Sequence, residues 1–167
     1  MLLSTLYVLV VLELRSRRVI FANCSAHPDA GWMVQQARNL AWELQDLAVA
    51  PRLLIHDRDA TFTGRFDDTL RAAGVALAVT PFRRPRANAH CERVILTLRR
   101  ECLDWFLIFG ERHLLRLLRE YFDHYNRARP HRALDLRPPS PQPSAAQGSV
   151  VRRERLQGLI NEYRLAA

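Results

Sequence analysis

The chain has 167 residues, 49% of them hydrophobic, with a net charge of +8 and a pI near 10.6. That length supports one domain with its own core and a modest appendage, and the apolar fraction excludes an intrinsically disordered chain. The excess positive charge is arginine, which points to a polyanionic partner met through bidentate phosphate or guanine contacts.

In chain order, Thr5 to Leu14 is a nearly continuous run of Val, Leu and Tyr, as expected of a buried strand. The run Leu6 to Leu12 is too short to span a bilayer and is closed by Glu13, so no membrane partner is expected. Arg15 to Arg18 reads as a polar turn and Val19 to Ala22 as the returning antiparallel strand. Asp29 opens a helix whose apolar face is expected at Trp32, Val34 or Gln35, Ala37 or Arg38, and Ala41, running to Leu47. After Pro51, Leu53 to Ile55 is a short buried strand that delivers His56 and Asp57 to its carboxyl end. A helix over Gly64 to Ala73, ended by Gly74, and a strand over Val75 to Val79 follow.

Pro81 and Pro85 exclude regular structure from Thr80 to Ala87, an irregular basic loop carrying Arg83, Arg84 and Arg86. Asn88 is placed to cap the next helix, whose stripe is Cys91, Val94, Ile95, Leu98, Cys102 and Trp105. A further helix over Glu111 to Asn126 carries Leu114, Leu117, Leu118, Tyr121, Phe122 and Tyr125 on one side. These elements predict an α/β fold, with a mixed sheet flanked by helices. Residues 1–136 form the expected core and 137–149 a Pro-rich linker. The basic tail, 150–167, has the pattern of a small β-ribbon.

Cys24, Cys91 and Cys102 are odd in number and irregular in spacing, which supports neither a zinc site nor a disulfide framework. A reducing setting is expected, and Cys91 reads as packing rather than as a nucleophile. His56 is expected as a partly buried neighbour of the acids, and His124 and His131 as satisfied core or loop residues.

Two carboxylates stand out. Asp57 follows an apolar strand, where side chains converge on a crevice, and Glu92 lies thirty-five residues later on a basic helix. A two-metal phosphoryl-transfer site needs several carboxylates to hold ions about 3.5–4 Å apart. Asp57 or Asp59 could equally cap the turn after the strand, and Glu92 could be a solvated surface residue. Arg93, Arg99 and Arg100 surround Glu92, and Arg99 lies two turns below it. An ordinary solvated face more often balances its charges in i,i+4 acid–base pairs.

Three ordered stretches carry a resemblance. They are Ile55-His56-Asp57-Arg58-Asp59-Ala60-Thr61-Phe62-Thr63, Pro85-Arg86-Ala87-Asn88-Ala89-His90-Cys91-Glu92-Arg93, and Tyr125-Asn126-Arg127-Ala128-Arg129-Pro130-His131-Arg132-Ala133-Leu134. Together they resemble the integrase catalytic core of bacterial insertion-sequence transposases, a family of ribonuclease H-like fold. The resemblance implies that Asp57 and Glu92 are the second and third acids of a metal-binding triad. It also implies a Mg²⁺ (or Mn²⁺) two-metal site in the intact family member. Arg83, Arg84, Arg86, Arg93, Arg99 and Arg100 would contact DNA.

The implied activity is DNA cleavage and strand transfer in transposition by a homo-oligomer, in the bacterial cytoplasm at the nucleoid. No Asp precedes Leu6, so the first core strand and the first catalytic Asp of the family are expected to be absent. Impaired catalysis is therefore expected. The alternatives are a catalytically inactive DNA-binding or oligomerising remnant and, third, a stand-alone ribonuclease H-like nuclease.

Overall fold

A computed structural model describes residues 4–45, 53–81, 89–142 and 148–166. Two strands, β1 (Tyr7–Leu12) and β2 (Val19–Ser25), form an antiparallel hairpin paired from Tyr7↔Ser25 to Leu12↔Val19. Its turn is closed by hydrogen bonds from Glu13 N to Arg18 O and from Arg17 N to Glu13 O, both 2.8 Å. Ser16 Oγ also donates to the Glu13 carboxylate. Helix α1 (Ala30–Gln45) starts at Asp29, whose Oδ1 accepts the Trp32 amide at 2.7 Å.

Strands β3 (Leu53–His56) and β4 (Ala76–Val79) pair in parallel through helix α2 (Gly64–Ala72). That helix ends at Gly74, whose φ of +83° is a conformation glycine adopts without a Cβ penalty. Helices α3 (Ala89–Glu101) and α4 (Glu111–Arg127) follow, and β5 (Ser149–Arg155) and β6 (Ile160–Ala166) close the chain as an antiparallel hairpin. Among the described residues, no helix is long and apolar enough to cross a membrane.

The architecture is mixed α/β, but the single sheet expected from the sequence does not form. The strands make three separate two-stranded ladders, β1–β2, β3–β4 and β5–β6. β1 and β3 instead face a common cavity. Two cores flank the strands. One gathers α3, α4 and the alternate β1 residues Val8, Val10 and Leu12. The other gathers α1 and α2 with Val11, Ile20 and Leu54.

Helix α4 organises the first core. Its six stripe residues from Leu114 to Tyr125 are all buried, as their spacing predicts. Burial of each leucine contributes about 1.5–3 kcal/mol. Seventeen helical residues rise about 25 Å and seven strand residues about 23 Å, so α4 and β2 match in length. Polar contacts tie them at both ends. The Glu111 carboxylate accepts from the Ala26 amide and from Ser25 Oγ. At the other end, the Asn126 amide accepts from Val19 N at 2.9 Å and donates to Val19 O at 2.8 Å.

Two expected faces are corrected. The buried side of α1 is Met33, Gln36, Ala37, Leu40 and Leu44, which leaves Gln35 and Arg38 exposed and Trp32 and Ala41 at the border. Gln36 is drawn inward because its Oε1 accepts from Asn23 Nδ2 at 2.6 Å. Trp105 leaves the α3 stripe because that helix ends at Glu101 and a 3₁₀ turn, Leu103–Trp105, redirects the chain. Its ring is 68% exposed, with Nε1 donating to Arg100 O at 2.8 Å.

Candidate active site

The carboxyl end of β3 places His56 and Asp57. His56 stacks on Phe62 at 4.6 Å and meets Phe66 edge-on, and its Nδ1 lies 2.7 Å from Asp57 O. Its Nε2 is 3.1 Å from Asp67 Oδ1, within ion-pair range but out of line for a hydrogen bond. His56 thereby anchors the strand end to α2, and Asp57 emerges from a fixed point.

The two acids of the following turn divide their work. Asp59 Oδ1 accepts from both the amide and the hydroxyl of Thr61 at 2.8 Å, bonds that lower its pKa. Asp57 Oδ1 accepts the amide of Asp59, at 3.1 Å, and the residue is half-buried at the cavity wall. Both acids line the cavity, and the Thr61 bonds tie Asp59 into the turn.

Glu92 lies in the first turn of α3, where the helix dipole favours an anion. It is exposed and lines the same cavity, of about 650 Å³, together with Asp57, Cys91 and Arg99. Cys91 reports on both acids. Its thiol pKa is raised by burial and then by the charges of Asp57 and Glu92. The structure thus brings Asp57, Glu92 and Arg99 to one cavity.

Arg93 and Arg100 are exposed on α3 and do not line the cavity. The His90 pKa is lowered by slight burial and by the charges of Arg17 and Arg93. Arg83, Arg84, Arg86 and the expected cap Asn88 lie outside the described residues.

As metal donors, Asp57 and Glu92 are hard oxygen ligands. One Mg²⁺ suits them, because it keeps several waters and takes one or two carboxylates. Among the described residues, no group of three His, Cys, Asp or Glu side chains is placed to hold a metal ion. Asp57 and Glu92 thus offer the cavity the donor chemistry that a hydrated divalent cation takes.

Sequence reasoning missed a polar cluster at the far end of α3. Glu101 accepts from Arg129 Nε and Nη2 at 2.7 and 2.6 Å and from the Tyr121 hydroxyl at 2.9 Å. Burial favours the neutral acid, but these bonds prevail and lower the Glu101 pKa. The buried His131 ring donates from Nε2 to Tyr125 O, 3.2 Å away, and packs edge-on to the Tyr125 ring. The stretch from Tyr125 to His131 therefore ties α4 to β2 and α3. Its signals in the sequence were the resemblance carried by Tyr125–Leu134 and the density of residues able to make such bonds.

The chain matches no curated protein. Residues 73–139 match the integrase core domain family, a span that includes Glu92, Arg93, Arg99, Arg100 and the Tyr125–His131 stretch but begins after Asp57. From just after α2 to the turn beyond α4, the chain is similar to the integrase core domain family.

Proposed function

We propose that the chain is the catalytic-core portion of a bacterial insertion-sequence transposase that binds DNA ends. In this reading its arrangement is ribonuclease H-like, with residues 1–136 as core, 137–149 as linker and 150–167 as a basic tail. The observation that carries the reading is the opening of Asp57, Glu92 and Arg99 onto one cavity, beside a segment of integrase core sequence.

Asp57 and Glu92 would hold a divalent cation, Mg²⁺ or Mn²⁺. When bound, such a cation supplies Lewis-acid polarisation of a phosphodiester oxygen and lowers the pKa of a coordinated water. The protein's own residues do the positioning. His56 and the Asp59–Thr61 turn hold Asp57 at the strand end, and α3 holds Glu92 one helical face away from its core stripe. Arg99, two turns along, orients a phosphate against the two acids, while Arg93 and Arg100 neutralise flanking phosphates. Arg83, Arg84 and Arg86 extend this basic surface in the proposal. A homo-oligomer acting at the nucleoid completes it.

A second reading, a DNA-binding or oligomerising protein without catalysis, is favoured by the absence of a three-donor cluster among the described residues. The same experiment separates the two. Duplex DNA is titrated by fluorescence anisotropy across a salt series, Mn²⁺ binding is followed by electron paramagnetic resonance, and strand transfer is scored on labelled ends. DNA binding that weakens steeply with salt, Mn²⁺ binding that Glu92→Gln abolishes, and weak strand transfer at most are expected. DNA binding with no Mn²⁺ uptake supports the second reading. Failure to bind DNA at low salt refutes both.

A further inference from the structure

β1 and β3 belong to different ladders, yet one cavity follows both strands residue by residue. It is lined by Tyr7 through Leu12 and by Leu53 through His56. Contact with the face of a strand meets every second residue, whereas contact with its edge meets consecutive ones. Each strand has its other edge occupied, β1 by β2 and β3 by β4. The cavity is therefore bounded by two strand edges, each continuous with an existing ladder.

The other walls say what would fit between them. Ile95 of α3 closes one face, and Met33 of α1 and Phe66 of α2 close the other. Val8 and Val10 turn to the first core and Val11 to the second, so the strand layer lies between two apolar layers. Leu53 and Ile55 remain 50% and 44% exposed on β3. A ligand here meets backbone donors and acceptors along both sides and apolar side chains above and below. Only an extended polypeptide that is apolar on both faces satisfies both demands. The charged groups of the lining are Glu13, Asp57, Asp59 and Glu92 against Arg99, an acidic balance that suits basic residues at the ends of such a segment.

We propose that the space between β1 and β3 is a strand-acceptor slot. It takes a Val- and Ile-rich segment of four to six residues with basic flanks, spanning the lengths of β3 and β1. Pairing with both edges would join the two ladders into one five-stranded sheet. The proposal rests on the strand edges and stands whether or not the chain acts on DNA.

The test uses the full chain with a fluorescein-labelled Lys-Val-Ile-Val-Ile-Val-Lys peptide, without divalent cations. A second peptide carries N-methyl groups on alternate amides, which preserves apolarity but removes one edge of hydrogen bonding. We expect saturable one-to-one binding, at least tenfold weaker binding of the methylated peptide, and slowed amide exchange at Tyr7–Leu12 and Leu53–His56. Ile55→Arg, at a partly exposed position, should weaken binding with the fold intact by circular dichroism. Equal binding of both peptides, or displacement by dodecanoate without amide protection, would show an unspecific apolar cleft and overturn the proposal. Absence of peptide binding would overturn it too. So would protection of these amides that rises with protein concentration alone, because a second copy would then be the occupant.

Discussion

Asn126→Ala tests the link between α4 and the start of β2. The Asn126 side chain pairs with both backbone groups of Val19, a residue 107 positions away and 5% exposed. Removing the amide leaves one N–H and one C=O where water has little access. Each unsatisfied neutral group costs about 1–2 kcal/mol, so the pair costs about 2–4 kcal/mol. For a chain of this size that corresponds to a fall in Tm of roughly 4–16 °C. Asn126→Asp retains an acceptor for the Val19 amide but no donor for its carbonyl, and should fall between wild type and Ala. Asn161→Ala is the control, since Asn161 is exposed and bonds only the exposed Arg152 at 2.9 Å. It should cost less than about 0.5 kcal/mol. Thermal and urea unfolding followed by circular dichroism at 222 nm provide the measurement. An Asn126→Ala loss no larger than that of the control would show that the two bonds do not hold β2 to α4.

Three further outcomes follow from the site and the core. Arg99→Ala should weaken DNA binding and make the slope of log Kd against log salt shallower by about one, whereas an unchanged slope would remove Arg99 from the phosphate contacts. His131 is buried, and desolvation depresses its folded-state pKa despite the bond to Tyr125 O. The unfolded chain therefore takes up a proton from about pH 6.5 downward while the folded protein resists it. The His131 contribution is complete above about pH 6.5 and is lost as pH falls from there towards the depressed folded value. His131→Gln should flatten the stability profile in that window, and an unaltered slope in urea titrations would contradict the assignment. Finally, the Cys102 thiol is fully buried and pushed up to about 12, and burial raises Cys24 as well. Neither should react with iodoacetamide at pH 8 in the native protein, although both should in 6 M urea. Rapid native labelling of Cys102, read by peptide mass spectrometry, would place it outside the core.

Much of the secondary structure was legible because local periodicity reports local geometry. The six stripe residues of α4 were placed correctly, since that helix buries a single stripe and, Leu115 apart, its remaining positions are charged or polar. On α1 the apolar and polar residues mingle. Burial of Gln36 depends on Asn23, a partner across the β2–α1 layer that helical spacing cannot identify. Trp105 continued the α3 stripe on paper, but the 3₁₀ turn after Glu101 carried it outward.

The candidate site divides in the same way. Residue chemistry and spacing made Asp57 and Glu92 candidates, and the arginines around Glu92 and the resemblance of the flanking stretches singled them out together with Arg99. Their meeting at one cavity depended on how β3 and α3 pack. The sequence left open whether Asp57 or Asp59 caps the turn, and in the structure each accepts an amide two residues on. The β1–β2 hairpin and the β5–β6 ribbon were legible in the sequence, but the separation of β1–β2 from β3–β4 was not. Strand character is set by neighbours a few residues away, whereas pairing is set by backbone edges that meet across long stretches of chain. The sequence alone therefore determined most elements, the α4 stripe and the basic charge that points to a polyanionic partner. The tertiary structure alone decided which edges were paired and which opened onto the cavity shared by Asp57 and Glu92.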